Sequence, residues 1–210
     1  MSEILFASVP VHGHVAPLLP LVRHLVGRGD RVRSLTGARF AEAVSAAGAE
    51  HIPLPAEADF DDRAVTGRFP ERAELSPVKA IAFDIEHIFV RPGEHQYDAV
   101  RALLDARPTD AVVCDPLFVG AAILVDTAPA DRVPVVVGGV VPLGYPGPGL
   151  APFGLGLPPL GGIAGQVRNG ALSAMTRRIF RPVEAGAGEV SRGLYRRTLS
   201  GPGLGWVPPA

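Results

Sequence analysis

The chain has 210 residues, 47% of them hydrophobic, with Lys+Arg 20 against Asp+Glu 21, so it can fill a real core. It lacks the charge excess that would draw nucleic acid or an anionic membrane. Its one cysteine, Cys114, excludes an internal disulfide. No apolar run approaches the roughly 18 residues of a membrane span, and no basic-then-apolar leader opens the chain. The expectation is a cytoplasmic globular protein, without stable membrane insertion, whose partner is a small molecule.

ILFASVP (residues 4–10) is an apolar run of strand length, and Leu18, Leu21, Val22, Leu25 and Val26 behind it recur at helical spacing. The pattern predicts a strand, a turn and a helix from about Ala16 to Arg28, with Pro17 and Pro20 in its first turn and Gly29 closing it. RVRSLTG, ARFAEAVSAAG and AEHIPLP follow as strand, helix and strand. Strands alternating with helices predict parallel pairing and right-handed crossovers. From Ala56 to Leu75 the pattern dissolves among acidic residues, with Phe60 and Phe69 as isolated anchors, and reads as a long loop.

Helical period returns from Val78 to Phe89 and from Tyr97 to Leu104, as two helices or one kinked at Pro92. DAVVCD is a continuous apolar strand ending in Asp115, and PLFVGAAILV behind it opens with proline as a helix can. VPVVVGG supplies a fifth strand, and residues 140–162 are too rich in Gly and Pro for regular structure. The last segment is helical through Val167, Leu172, Met175 and Phe180, with Pro182 as a kink or break and an arginine-rich solvated face. Residues 201–210 read as a linker or tail.

Chemistry concentrates in VPVHGHVAPLLPL, at the first strand–helix junction. Ligands of open α/β sheets bind outside the carboxyl ends of the strands, where strand order reverses. His12 and His14 are therefore presented toward that crevice. The bland alternative is that both are polar turn residues. A metal site finds no further ligands at recognisable spacing, and one glycine makes neither a dinucleotide nor a Walker turn. A general base needs a carboxylate to fix its tautomer. In a sheet ordered 3-2-1-4-5, Asp115 ends the strand beside the first, although Asp115 also suits the role of helix cap. A working pair requires polar atoms about 2.6–3.2 Å apart. A capping-only Asp115 would instead face the N–H groups of Leu117 or Phe118.

PVHGHVAPLLPLVRHLVGRGDRV, AVVCDPLFVGAAILV and PLGYPGPGLAPFGLGLPP together resemble the N-terminal half of the family 1, GT-B-fold glycosyltransferases, above all the bacterial enzymes that glycosylate macrolides, polyketides and other natural products. The resemblance implies a Rossmann-like parallel sheet with helices on both faces. It implies an acceptor-binding domain over residues 1–200, with His14 as general base and Asp115 orienting it. Acceptor contacts are then expected from Gly13, Phe60, Phe69, Phe83, His87 and Tyr145. The family draws its nucleotide-sugar donor, a UDP-sugar in many members, into a second, glycine-rich domain that is not read in this chain, and it implies no further cofactor and no metal. The second reading is a small-molecule binding module on the same fold, without catalysis.

Overall fold

The structure is a computed structural model. It describes residues 1–121, 124–125, 132–140, 147, 149–152 and 155–200, the last seven by backbone alone. Five strands form one parallel sheet, β1 (Glu3–Ala7), β2 (Arg31–Thr36), β3 (Glu50–Pro53), β4 (Ala111–Cys114) and β5 (Val135–Val137), in the order β3-β2-β1-β4-β5. This is the order on which the pairing of His14 with Asp115 depends. β1 sits at the reversal point, pairing with β2 from Glu3↔Arg31 and with β4 from Ile4↔Ala111 to Ala7↔Cys114. The carboxyl ends of β1 and β4 therefore lie side by side.

Strands β1 and β4 read as apolar runs because both of their faces are covered. Ile4, Phe6 and Val113 point to one face, where they meet Val22 of α2 (Leu19–Gly27) and Val44 of α3 (Ala41–Ala46). Leu5, Ala7, Val112 and Cys114 point to the other, against Val100 of α6 (Gly93–Ala106) and Val190 of α7 (Gly162–Ser200). Alternation with period two sends neighbouring residues of one strand into two different cores.

Several elements differ in detail from expectation. The first helix begins early, as a separate turn, α1 (His12–Val15), before α2. Pro17 and Pro20 have no N–H for the helical ladder, and the chain bridges the gap with tighter bonds, Leu18 N–H to the Val15 carbonyl (3.0 Å) and Leu19 N–H to that of Ala16 (3.3 Å). The loop of 56–75 contains α4 (Val65–Arg68) and a 3₁₀ turn, Pro70–Glu74. Behind it, α5 (Pro77–Asp84) runs straight into a π-helical stretch, Ile85–Val90, and the helix is interrupted only at Arg91 and Pro92 before α6. Asp115 is followed by a turn and a short 3₁₀ segment, Val119–Ala121, so the helix expected behind it does not start at Pro116; Leu124 and Val125 are helical, and the residues on either side of that pair lie outside the described ones.

Pro182 neither ends nor divides α7, which continues to Ser200 with that residue on its exposed side. The apolar stripe expected on this helix is only partly covered. Val167 and Met175 are exposed and Leu172 and Phe180 half-buried, and the buried positions among its described side chains are Gly165, Gly186 and Val190.

The 3₁₀ segment lies hard against α6. A Cβ on Gly120 would come within 2.5 Å of both the Gln96 Cβ and the Tyr97 backbone nitrogen, while Gly120 N–H donates to Gln96 Oε1 (3.1 Å). Backbone cannot yield as a flexible side chain can. Gly120→Ala is expected to destabilise the fold by about 1–3 kcal/mol, measured as a lowered urea midpoint at unchanged slope.

Candidate functional site

His14 and Asp115 meet at the carboxyl edge of the sheet. His14 is held there by α1, which follows β1, and Asp115 is the residue after β4; its N–H prolongs the ladder to the Ala7 carbonyl (3.1 Å). His14 Nδ1 lies 2.9 Å from Asp115 Oδ1, with Asp115 1% and His14 7% exposed. Asp115 also accepts the Val9 N–H at Oδ2 (2.8 Å) and the Leu117 N–H at Oδ1 (2.8 Å). Both alternatives for this carboxylate hold at once: it caps the turn at Leu117 and grips the imidazole.

Two backbone N–H groups already donate to this carboxyl, and as an acceptor-only carboxylate it takes a third hydrogen bond from the imidazole. Nδ1 must then carry the proton, which leaves the Nε2 lone pair of neutral His14 free. Nε2 has no hydrogen-bond partner among the described residues. The ring of Phe89, in the π-helical stretch, packs on the imidazole at 5.3 Å between centroids with a 42° tilt. Irregular helix of this kind is frequent at functional sites. Beside Asp115, the Cys114 thiol is pushed up to about 11 by burial and by the neighbouring carboxylate charge. It is a packing group and not a nucleophile.

The other residues singled out from the sequence divide into groups. Phe69, Phe83 and His87 come together: Phe83 and His87 stack at 4.0 Å and 15°, and Phe69 meets both rings edge-on at 5.6 and 5.9 Å. His87 Nδ1 faces the Phe83 carbonyl at 3.0 Å. Phe60 stands apart from this cluster, under the Arg68 guanidinium, which lies 6.0 Å from its ring centre and 5.7 Å from that of Phe69. Gly13 is exposed on α1 with open space where a Cβ would sit. Tyr145 lies outside the described residues.

A cavity of about 380 Å³ opens between α5, the π-helical stretch and α7, lined by Leu75, Phe83, Glu86, Arg178 and Ile179 among others; His14 is not part of its wall. Phe83 belongs to this cavity and to the aromatic cluster. Six residues of helical rise, about 9 Å, separate it from Phe89 at the imidazole.

Sequence reasoning missed three participants. Phe89 was read only as part of a helical stripe. Asp62 accepts the His12 N–H (2.7 Å) and pairs with Arg39. Asp59 accepts the Ala38 N–H (3.0 Å). A residue that reaches fifty positions back along the chain leaves no local signal, and an acidic run in a loop reads as solvated surface.

No family model matches the chain. Relatives do. The 4'-demethylrebeccamycin synthase of Lentzea aerocolonigenes is 32% identical over 180 residues, 85% of this chain and 42% of the synthase. UDP-glycosyltransferase 2 of Phaeomoniella chlamydospora is 30% identical across 98% of this chain and 45% of its own length. Among solved structures, the calicheamicin glycosyltransferase CalG4 superposes with TM-score 0.50 at 34% identity, over 65% of this chain and 32% of that one. The chain resembles part of these glycosyltransferases in both sequence and fold. SnogD of Streptomyces nogalater, at 20% identity and TM-score 0.50 over 95% of this chain and 42% of its own, extends the likeness of fold across nearly the whole sequence. The chain spans less than half the length of the curated relatives it matches, and its sheet corresponds to the Rossmann-like N-terminal half of the GT-B glycosyltransferases. No helix among the described residues of this chain is long and apolar enough to cross a membrane. No group of three or more metal-ligating side chains occurs among those residues.

Proposed function

We propose that residues 1–200 are the acceptor-binding half of an inverting glycosyltransferase, and that His14 is its general base with Asp115 as orienting partner. The observation that carries this reading is the 2.9 Å contact from Nδ1 to a buried carboxylate, combined with an Nε2 that makes no hydrogen bond to the described residues. In the proposed reaction an acceptor hydroxyl attacks the anomeric carbon of a nucleotide sugar. The new C–O bond forms as the bond to the diphosphate oxygen breaks, the hydroxyl proton passes to Nε2, and the nucleoside diphosphate leaves. Asp115 stabilises the imidazolium so formed, and no metal or further cofactor takes part. Direct displacement from the opposite face inverts the anomeric centre.

The acceptor is a small, largely apolar molecule. Phe69, Phe83 and His87 present stacked and edge-on rings beside a cavity of suitable size. Gly13, Phe60 and Tyr145 complete the acceptor contacts in this reading. Relatives named for rebeccamycin and calicheamicin favour a natural-product acceptor, and the UDP-glycosyltransferase relative favours a UDP-sugar donor.

The test is paired. Fluorescence titration of the 210-residue chain with indolocarbazole, macrolide and flavonoid acceptors is expected to give saturable binding. Mass spectrometry of the full-length protein incubated with acceptor and UDP-glucose or TDP-sugars is expected to show a glycoside. Binding without product from the full-length protein under any donor would support the non-catalytic module instead.

A further inference from the structure

α1 is four residues long, and such a turn does not hold itself. Its N-cap, Val11, has no side-chain acceptor for the free N–H groups that follow. The acceptor comes from elsewhere. Asp62 Oδ2 accepts the His12 N–H at 2.7 Å from a position fifty residues on. The same carboxylate pairs with Arg39, whose guanidinium lies over the Phe40 ring at 4.2 Å. Burial opposes the charge on Asp62, but the bonds from Arg39 and from the His12 N–H outweigh it and hold the carboxyl below its ordinary value.

Three residues earlier the loop has a second anchor. Asp59 Oδ2 accepts the Ala38 N–H at 3.0 Å, and the site of its carboxylate is so close to Gly37 that a Cβ there would lie 2.7 Å from Oδ1. Arg68 donates to the Asp59 carbonyl at 2.6 Å. Asp59 therefore docks the loop on the end of β2, while Asp62 docks it on the turn that bears His14. Phe60, between them, is an expected acceptor contact.

We infer that Asp62 is a positioning residue: held by Arg39, it supplies the distant cap that sets α1, and through α1 the aim of His14 at Asp115 and at the acceptor. It also ties the loop carrying Phe60 to the turn carrying the base, so ordering the loop and aiming the imidazole become one event. This inference rests on the reading of His14 as general base. A displacement of about 1 Å at a reacting group can cost about a hundredfold in rate.

The experiment compares Asp62→Ala, Asp62→Asn and His14→Ala. Steady-state kinetics are taken on the full-length protein, and the ring ¹⁵N–¹H signals of His14 are recorded on the labelled 210-residue chain. Asp62→Ala is expected to lower kcat by about ten- to a hundredfold with the acceptor KM changed by less than about threefold, whereas a role confined to loop stability would raise KM instead. Its Nδ1–H signal should shift or exchange away. Asp62→Asn keeps an oxygen for the His12 N–H and should recover most of kcat and the signal. Asp62→Ala with kcat within twofold of wild type and an unchanged His14 signal, beside an inactive His14→Ala, overturns the inference and leaves the base assignment intact. If His14→Ala remains active, the base assignment fails, and the His14 signals alone then decide whether Asp62 positions the ring. Should Asp62→Ala not fold, Asp62→Glu moves the carboxylate by one methylene, and an undiminished kcat there would likewise overturn the inference.

Discussion

In the full-length protein, His14→Ala lowers kcat by about 10²- to 10⁴-fold, the usual contribution of a positioned general base, while acceptor affinity stays within a few-fold. The imidazole adds little to apolar binding, because it is 7% exposed and its ring is already packed on Phe89. In the proposed reaction its loss removes the group that would take the hydroxyl proton as the new bond forms. Initial rates at saturating acceptor, with binding measured separately by fluorescence, isolate this effect. A variant retaining more than about a tenth of wild-type kcat would remove His14 from the role of base.

Asp115 is expected to have the second-largest effect, and its two substitutions act differently. Asp115→Ala leaves the Val9 and Leu117 N–H groups without the acceptor that each has at 2.8 Å. An orphaned buried donor costs about 1–3 kcal/mol, so this variant should show a clearly lowered thermal midpoint as well as impaired transfer. Asp115→Asn keeps the shape but holds only one oxygen. If its NH₂ replaces Oδ2, it faces the Val9 N–H; if it replaces Oδ1, it faces both the Leu117 N–H and the protonated Nδ1 of His14. The second arrangement forces the imidazole proton onto Nε2, where the lone pair is needed. Transfer should therefore fall, but by less than in His14→Ala, since the imidazole survives and part of the population keeps the productive tautomer. An Asp115→Asn variant with wild-type kcat and stability would show that the carboxylate charge is immaterial to the site.

Some of this site could be read along the chain. The apolar runs of β1 and β4, and the alternation of strands with helices, imply a parallel sheet whatever the details of packing, because a strand buried on both faces needs apolar residues at every position. Asp115 is legible for the same reason. It is the first carboxylate after such a run, and a parallel strand must deliver it to the carboxyl edge. The neighbourhood of β1 and β4 follows only once the strand order is known.

Other features had no local signature. The prolines at 17 and 20 suit the first turn of one helix, and nothing local shows that His12–Val15 forms a turn of its own ahead of it. Pro182 reads as a break, yet on the exposed side of a helix clamped at Val190 the loss of one hydrogen bond does not end it.

The sequence by itself determined the parallel architecture and the places of His14 after the first strand and Asp115 after the fourth, because hydrophobic period and turn chemistry are properties of neighbouring residues; the strand order that brings the two onto one rim came from the structure. The tertiary structure alone decided that the carboxylate would grip Nδ1 and cap Leu117 together, that Phe89 would cover the ring, and that Asp62 would cap a turn fifty residues away. Those outcomes depend on ångström-scale distances between segments remote in sequence. Packing sets such distances, and no local preference encodes them.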